Sequence, residues 1–308
     1  MTVTVRLILG DQLSHHNPVL QDARAGEDWI LLAEVAEEAD YVRHNRHKIA
    51  LIFSAMRHFA AELEERGFQV IYRRFDEGIA RLEQAVAEAL AGTEAATVAV
   101  TEAGEYRLRD AMRGWQARLG LPVEILEDTR FLASSEDFER WAEGRKQLRM
   151  EYFYREMRKR HKLLMDSDGK PEGGRWNFDA ENRGGWRAQE PVPARSDATP
   201  DAITREVIAL VEQQFPDNPG DLARFRLAVD APGAQEQLDW FCEHALAKFG
   251  SYQDALAEES PWLFHSLVSM YLNIGLLEPL AVCQQVEAAF RQQRCSLAAA
   301  EGFIRQVL

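Results

Sequence analysis

The sequence predicts two kinds of domain in one chain, a parallel α/β sheet domain first and an all-helical domain after it. Short β-branched, apolar runs alternate with segments of helical periodicity up to about residue 130. After residue 200 only helical periodicity is found. The length of 308 residues gives each domain room for its own core, because domains commonly contain roughly 150 residues.

The first domain, residues 1–130, alternates strands with helices. The predicted strands cover residues 2–9, 29–35, 69–75, 97–101 and 122–126, and the predicted helices cover residues 48–66, 79–90 and 106–119. The first long helix ends at Gly67, a residue type favoured just past a helix end. Strands separated by helices predict a Rossmann-like parallel sheet that is covered on both faces.

The rest of the chain divides into a linking region, residues 131–200, and a helical domain, residues 201–308. Residues 134–165 are helical and strongly charged, whereas residues 166–200 are rich in Gly, Pro, Asn and Asp and predict a long interdomain loop. The helical domain contains the periodic segments 203–215, 234–249, 261–274, 280–292 and 298–308. The last segment ends on apolar residues, so we expect a chain that is cut inside a helix.

Composition excludes several classes of protein. The 36 Lys and Arg against 50 Asp and Glu give a net charge of −14, so any nucleic-acid surface must be local. The cysteines Cys242, Cys283 and Cys295 are too few and too widely spaced for a disulfide framework or a zinc site. No apolar run approaches the roughly 18 residues of a membrane span. We therefore expect a cytoplasmic protein without a membrane partner or a metal site.

The ends of the first two strands indicate a ligand site. The run LILGDQL places Asp11 and Gln12 at the carboxyl edge of the sheet, where open α/β folds bind ligands. The second strand leads to Glu34, Glu38 and Tyr41, and Ile52 lies in the next covering helix. Carboxylate, amide and aromatic groups together suit a flat polar heterocycle. Taken one at a time, the same residues are more simply explained as an ordinary turn and solvated charge.

A second candidate site is the basic stretch 140–162. It carries nine Lys and Arg against three Glu, a local charge of +6 in an acidic chain. Such local basic density is typical of contact with a phosphate backbone. The candidate DNA-binding residues are Arg149, Arg155, Arg158, Lys159 and Arg160. The alternative is a solvated amphipathic helix.

Two further patterns have weaker implications. His44 and His47 lie three residues apart, but the neighbouring cations oppose metal binding and no matching carboxylate accompanies them. In the helical domain, Ser266 and Ser269 share a helix face. Hydroxyl groups in that position can hold the phosphates of a cofactor, and they can equally serve helix packing.

These segments, in this order, resemble the deoxyribodipyrimidine photolyase-related proteins, the iron–sulfur bacterial branch of the cryptochrome/photolyase family, whose characterised members repair (6-4) photoproducts in DNA. The resemblance spans essentially all 308 residues. The segments that carry it are LILGDQL (7–13), EVAEEADYVRHNRHKIALIFSAMRHFA (34–60), GRKQLRMEYFYREMRKRHKLLM (144–165), GGRWNFDAENR (173–183), FPDN (215–218), FGSYQDA (249–255), HSLVSMYLNIGLL (265–277) and EGFIRQ (301–306).

The resemblance implies an antenna domain that holds 6,7-dimethyl-8-ribityllumazine, a long interdomain loop, and a helical domain that binds FAD. Its motifs assign Asp11, Gln12, Glu38, Tyr41 and Ile52 to the lumazine site. They assign Phe249, Gly250, Gln253, Asp254, Ser266, Leu267 and Ser269 to the first flavin-binding segments. Asp179, in WNFDAEN, falls in the loop that approaches the DNA lesion in the family, which makes it the candidate residue beside the reacting base.

One departure from the family affects the functional expectation. In the family the chain continues past GFIRQ into the rest of the flavin pocket, the catalytic histidine and four cysteines that bind a [4Fe-4S] cluster. We therefore expect a complete antenna domain, only a partial FAD site, and no cluster ligands in this chain, with a monomer as the full-length state.

The function that the resemblance implies is a light-dependent photolyase that acts on UV-damaged DNA, a lyase of the (6-4) photoproduct type. Two alternatives remain open at this stage. One is a cryptochrome-like blue-light photoreceptor that binds the chromophores without repair. The other is a non-catalytic fragment that binds a chromophore or DNA.

Overall fold

The computed structural model describes residues 2–186 and 190–308, so residues 187–189 of the predicted interdomain loop lie outside the described residues. The chain forms two compact units. The first unit contains the chain up to Arg130 together with Asp197–Ala231 and Asn273–Leu276, and the second contains Phe131–Ser196, Pro232–Leu272 and Leu277–Leu308.

A five-stranded parallel sheet forms the centre of the first unit, which confirms the predicted fold class. Its strands are β1 (Thr4–Leu7), β2 (Trp29–Ala33), β3 (Gln69–Arg73), β4 (Thr97–Thr101) and β5 (Val123–Leu126), in the order β3-β2-β1-β4-β5. Val5 of β1 lies opposite Trp29 of β2 and Val98 of β4. The central strands are buried on both faces because helices cover both faces, and the one charged side chain of β1, Arg6, pairs with the buried Asp28 at 3.0 Å.

The helices of the first unit follow the predicted alternation. They are α1 (Pro18–Gln21), α2 (Ala36–Asp40), α3 (Arg46–Glu65), α4 (Leu82–Ala91), α5 (Tyr106–Arg113) and α6 (Trp115–Leu119). The single helix predicted over residues 106–119 is divided in two at Gly114, which ends α5 and precedes α6. The guanidinium of Arg118 occupies the space that a side chain at Gly114 would need.

The structure differs from the predicted boundary between the α/β domain and the helical domain. Helix α9 (Ala202–Gln214), expected in the helical domain, belongs to the first unit and packs on α3. Phe75 joins the two helices, since its ring lies 5.7 Å from that of Phe53 and 5.1 Å from that of Phe215. The apolar face of α9 thus packs against α3, the long helix that covers the sheet.

The second unit is helical in its regular structure. Its helices are α7 (Ser135–Ala142), α8 (Met150–His161), α10 (Ala231–His244), α11 (Leu246–Tyr252), α12 (Ser269–Ile274), α13 (Pro279–Arg291) and α14 (Leu297–Val307), of which α10 and α12 each extend by one or two residues into the first unit. The rings of Phe241, Phe249 and Phe303 lie 5.0–5.7 Å apart and form an aromatic core.

Three of the helices predicted after residue 130 are shorter or broken. The basic stretch is interrupted between α7 and α8, and the segment 234–249 is interrupted at Ala245. Residues 261–268 are not helical, because Leu263 and Leu267 adopt the left-handed backbone conformation, with φ values of 41° and 54°. The described part of the predicted loop 166–200 contains two short 3₁₀ turns, Glu172–Gly174 and Asp179–Glu181, and an isolated antiparallel bridge from Pro171 to Met165. Within the described residues, no helix combines the length and apolar character that crossing a membrane requires.

Candidate functional site

A cavity of about 280 Å³ opens at the carboxyl edge of the sheet in the first unit. It lies beyond the ends of β1, β2 and β4, on both sides of the point where the strand order reverses, which is where open α/β sheets bind ligands. Apolar side chains of α3 form one wall, namely Ile49, Ile52, Phe53 and Met56. The volume is close to the lower end of small-molecule sites, roughly 300 Å³, and suits a bicyclic ring better than a dinucleotide.

Gly10 allows α3 to approach the end of β1 closely. A Cβ atom at this position would lie 2.9 Å from Cγ2 of Ile52 and 3.0 Å from Sδ of Met56. The glycine of the LILGDQL motif therefore keeps space free where strand and helix meet beside the cavity.

Polar side chains surround this apolar wall. The polar residues that line the cavity are Asp11, Glu38, Tyr41, His44, Lys48 and Glu105. The Asp11 side chain is exposed towards the cavity, but protein surrounds its other sides. This desolvation raises the pKa of its carboxyl, and the positive charge of Arg130 partly offsets the rise. Burial likewise raises the pKa of Glu38, against a hydrogen bond from Arg107.

Four of the five residues predicted for the lumazine site line this cavity: Asp11, Glu38, Tyr41 and Ile52. Gln12 is fully buried outside the lining, and its amide nitrogen donates to the carbonyls of Thr101 and Glu102 at 3.3 and 3.1 Å. It joins the ends of β1 and β4 and acts on the cavity only through the backbone.

Glu34, a further candidate from the sequence, also points away from the cavity. Its carboxylate accepts two hydrogen bonds from Arg57, at 2.7 and 3.0 Å, and one from the Tyr72 hydroxyl at 2.6 Å. The interpretation of Glu34 as a group at the ligand edge is therefore wrong, because all of these partners belong to the framework of the sheet and α3.

Sequence reasoning missed several lining residues. His44 was weighed only as a metal ligand, and Lys48 only as its neighbour, although their nitrogens Nδ1 and Nζ lie 3.2 Å apart beside the cavity. Burial, and then the Lys48 charge, lower the pKa of His44. Glu105 follows the fourth strand, so its position after a strand end could have identified it as a lining residue.

The segments matched to a flavin site lie in the second unit and are used partly for packing. Phe249 belongs to the aromatic core, and a Cβ at Gly250 would lie 2.5 Å from Oδ1 of Asn182 and 2.8 Å from Cα of Ala299. The ring of His265 connects the two segments, with Nδ1 2.8 Å from the Trp262 carbonyl and Nε2 3.0 Å from the Gln253 carbonyl.

The remaining predicted flavin residues differ in exposure. Asp254 and Ser269 are exposed, while Gln253, Ser266 and Leu267 are half-buried. Leu267 has a left-handed backbone, and the Ser266 carbonyl lies 3.4 Å from Nη2 of Arg195.

Asp179 lies on an irregular segment that is held in a defined position. Hydrogen bonds from Arg183 and Arg305, at 2.7 and 3.0 Å, lower the pKa of its carboxyl. Next to it, the backbone N–H of Phe178 donates to Glu301, a fully buried carboxylate of α14, at 3.1 Å. This part of the predicted loop is thus held in place by Glu301, a buried hydrogen-bond acceptor that lies outside the loop, in α14.

The basic stretch contributes fewer free cations than its composition indicates. Arg155 pairs with Glu151 at 2.5 Å, Lys159 with Glu156 at 3.3 Å, and Arg160 with Asp137 at 2.6 Å. Arg149 is exposed and lies 3.2 Å from the Gln147 side chain. Surface pairs of this kind are weak, so these cations can still exchange partners.

Arg158 is an exception to the predicted DNA-binding set. It is fully buried, and its guanidinium donates to the carbonyls of Leu163, Leu164 and Trp176 at 2.5–3.2 Å. Its prediction as a phosphate contact does not fit this environment, since its donors are used to hold the end of α8 and the following segment together.

Within the described residues, no group of three His, Cys, Asp or Glu is arranged to hold a metal ion. Cys242, Cys283 and Cys295 carry free thiols, and burial raises their pKa values to about 11, about 12 and about 11. These thiols are therefore protonated at neutral pH.

Comparison with known proteins gives one family. The sequence profile of the deoxyribodipyrimidine photo-lyase-related protein family matches residues 6–227. A (6-4) photolyase of Agrobacterium fabrum (strain C58 / ATCC 33970) is 46% identical over 304 residues, which are 98% of this chain and 60% of that protein. An uncharacterised protein of Acanthamoeba polyphaga mimivirus is 38% identical over 58 residues, 18% of this chain and 45% of that one.

The fold has a counterpart among solved structures. The crystal structure of a bacterial class III photolyase from Agrobacterium tumefaciens matches with a TM-score of 0.58 at 13% identity, over 100% of this chain and 57% of that one. The chain thus spans about 60% of the length of its photolyase relative, and the profile covers both the cavity-lining motifs and the basic helix. This chain belongs to the deoxyribodipyrimidine photo-lyase-related protein family.

Proposed function

We propose that this protein works in light-dependent repair of UV-damaged DNA, as a photolyase of the (6-4) type, and that the first unit carries its antenna chromophore. The observation that supports the proposal most is the cavity, where four of the motif residues matched to a lumazine site lie around one space of about 280 Å³. The family membership and the 46% identity to a (6-4) photolyase support the reaction class.

The cavity residues fit a flat heterocycle chemically as well as by size. The aliphatic and aromatic side chains of α3 provide an apolar wall for one ring face. Asp11 and Glu38 provide carboxylate acceptors at the rim, and Lys48 provides a cation. A bound 6,7-dimethyl-8-ribityllumazine would supply light absorption, and these residues would hold and orient it.

The flavin part of the proposal rests on fewer side chains. Gln253, Asp254, Ser266 and Ser269 would form one wall for FAD, on two segments that His265 ties together. Phe249 and Gly250 would act behind that wall, as packing residues. This set forms a partial site, and we expect weak FAD binding by the 308-residue chain.

The DNA part of the proposal uses the exposed cations of the basic stretch. They include Arg149, Lys159, Arg160, Lys146 and Lys162, and the half-buried Arg155 is added to them because it lies on the same helix. Lysine and arginine side chains bind phosphate oxygens irrespective of base sequence. Asp179, on the adjacent irregular segment of the same unit, is proposed as the residue beside the lesion.

The cavity proposal is tested by titrating the protein with 6,7-dimethyl-8-ribityllumazine and following ligand fluorescence. We expect saturable binding by the wild type and loss of binding by Ile52→Trp, because the larger ring fills the cavity. Ile125→Trp, at a partly exposed position of β5 outside the cavity, is the matched control and should bind like the wild type. Absence of binding by the wild type would refute the antenna proposal.

The DNA proposal is tested with a salt series on irradiated and undamaged duplexes. Replacing Arg155, Lys159 and Arg160 with Ala should weaken both complexes by similar factors and flatten the dependence of affinity on salt. The matched control replaces Arg81, Arg113 and Arg224, three exposed cations of the first unit, and should change little. An unchanged salt slope in the first variant would remove the basic stretch from the proposal.

Repair itself is measured on irradiated oligonucleotides under blue light. Restoration of the undamaged bases supports the photolyase function. Chromophore binding without repair under the same illumination supports the photoreceptor alternative instead.

A further inference from the structure

Arg107 connects the groups at the rim of the cavity without lining it. This residue of α5 donates from Nη2 to Glu38 at 2.8 Å and to Glu105 at 3.0 Å, and from Nη1 to Glu37 at 3.2 Å. Its guanidinium carbon also lies 4.8 Å from the centre of the Tyr41 ring. Glu38, Tyr41 and Glu105 are all cavity-lining residues, so one arginine touches three of the six polar groups there.

These contacts join segments that follow two different strands. Glu38 lies on α2, after β2, whereas Glu105 and Arg107 come after β4. Tyr41 is 51% exposed and has no other arginine against its ring among the described residues. Arg107 therefore fixes the distance between the two sides of the cavity rim and the position of its most exposed aromatic ring.

The protonation state of Glu38 decides what this carboxyl offers to a ligand. The ionised form accepts hydrogen bonds only, whereas the protonated form also donates one. Burial and the neighbouring Glu105 and Glu37 favour the protonated form, and Arg107 favours the ionised form. Because Arg107 engages oxygen Oε1, the second oxygen of the same carboxylate is left as an acceptor.

We propose that Arg107 is a positioning residue of the cavity, which holds the Glu38 carboxylate and the Tyr41 ring in place so that the site selects a heterocycle presenting an N–H or O–H donor. The inference rests on the proposed chromophore binding and adds to it the residue that sets ligand choice. The ureide edge of a lumazine carries such a donor.

The test compares Arg107→Gln, Arg107→Lys and Arg113→Gln. Arg113 is the matched control, since it lies on the same helix, is exposed, and pairs only weakly with Asp110 at 3.7 Å, outside the cavity. The first readout is the affinity for 6,7-dimethyl-8-ribityllumazine as a function of pH. The second needs no ligand: the titration of Glu38 in the free protein, followed by ¹³C NMR of labelled glutamate and assigned with Glu38→Gln.

Arg107→Gln should lower the affinity about tenfold at neutral pH. This is the effect expected when Glu38 is no longer positioned for its charge-assisted contact with the ligand, a loss of about 1.4 kcal/mol. It should also move the titration of Glu38, and with it the acidic loss of affinity, to higher pH, because the cation that favours ionisation is gone. Arg107→Lys should restore most of the affinity and the pH profile. Arg113→Gln should match the wild type in both readouts.

Two failures are distinguishable. If the wild type binds the lumazine and Arg107→Gln leaves both the affinity profile and the Glu38 titration unchanged, the inference about Arg107 is overturned and the chromophore function stands. If the wild type binds no lumazine while Glu38 still titrates at higher pH in Arg107→Gln, the chromophore function is overturned and Arg107 keeps only its effect on the carboxyl.

Discussion

Each of the two units buries one glutamate, and the two sites have similar donors but different roles. Glu34 accepts hydrogen bonds from Arg57, from the Tyr72 hydroxyl and from the backbone N–H of Phe75. Glu301 accepts them from the Tyr154 hydroxyl and the backbone N–H of Phe178, and it pairs with Arg305 at 3.3 Å. Both carboxylates are essentially inaccessible to solvent.

The two buried glutamates differ in the exposure and the partners of the arginine beside them. Arg57 is 6% exposed and gives both of its hydrogen bonds to Glu34, at the centre of the framework formed by β2, β3 and α3, with a longer ion pair to Glu206 at 3.5 Å. Arg305 is 27% exposed; its Nη2 donates a hydrogen bond to Asp179, and its Nε makes only an ion-pair contact with Glu301, at 3.3 Å. The first glutamate stabilises regular elements that already pack on one another, whereas the second binds an irregular segment that has little regular hydrogen bonding of its own.

The largest effect is expected for Glu34→Ala. It leaves the buried guanidinium of Arg57 with only the half-exposed Glu206, 3.5 Å away, as a charged partner, and should lower the free energy of unfolding by about 3–5 kcal/mol, as measured by urea denaturation. The double variant Glu34→Met with Arg57→Met removes both charges and should be markedly more stable than the single variant. A single variant of wild-type stability would mean that the pair contributes nothing to the framework.

Glu301→Ala should have a smaller and more local effect. The Tyr154 hydroxyl and the Phe178 N–H lose their acceptor, and a buried group left unpaired costs about 1–3 kcal/mol. Local opening of the irregular segment lets water reach these groups, so most of this cost appears as local opening and not as loss of global stability. Burial and the Glu301 charge both raise the pKa of Tyr154, so its hydroxyl keeps its proton at neutral pH and remains a donor. Hydrogen exchange should accelerate in residues 176–183 far more than in the sheet.

Glu301→Gln keeps one acceptor oxygen and is the control for this local effect. It should fall between the wild type and Glu301→Ala in the exchange of residues 176–183. Uniform acceleration across both units would show that Glu301 stabilises the whole chain and would remove the contrast with Glu34.

A pair of glycines extends the comparison to packing. At Gly250, an added methyl group would meet backbone atoms of Ala299 and the buried Asn182, so Gly250→Ala should cost about 1–3 kcal/mol of stability. At Gly10, the close neighbours are side-chain atoms of Ile52 and Met56 and not backbone atoms, so Gly10→Ala should cost less and should mainly reduce the cavity. Thermal unfolding and lumazine titration measure the two effects, and equal costs would contradict this ranking.

The smallest effect is expected at the start of α9. Asp201 caps this helix and lies 2.9 Å from Nε2 of His58, and these contacts lower the pKa of its carboxyl to about 2. Its stabilising contribution is complete above the ordinary aspartate pKa and is lost as the pH falls towards 2. Because the side chain is half exposed, the contribution is no more than about 1 kcal/mol.

Asp201→Asn keeps the capping oxygen and removes the charge. The difference in unfolding free energy between wild type and variant should therefore be present at pH 6 and should vanish near pH 2. A difference that persists at the lower pH would assign it to the cap geometry and not to the ion pair.

The elements of the first unit were predictable because parallel strands must be apolar on both faces, which the runs ending at Leu9 and Val35 display directly. The partner of α9 was not, since an amphipathic helix shows that one face is buried and says nothing about what covers it. The burial of Arg158 was hidden for a similar reason: its three acceptors are backbone carbonyls, which every sequence supplies equally.

The sequence predicted some of the residues that line the cavity and not others. Strand ends identified Asp11 and Glu38, because parallel strands bring their carboxyl ends to one edge. The same rule wrongly included Glu34, since it fixes where a residue lies and not which way its side chain turns. Gln12 was matched by motif, and only its bonds to Thr101 and Glu102 show that it faces the sheet.

The return of the chain to the first unit has a consequence for its synthesis. A ribosome delivers residues in order, and α9, which covers α3, emerges only after about 70 residues of the second unit have been made. Until then the nascent sheet domain carries an uncovered aromatic surface at Phe53 and Phe75. Fragments that stop at residue 130 should therefore bind chaperones and fold poorly, whereas a fusion that adds residues 197–231 through a short linker should be soluble.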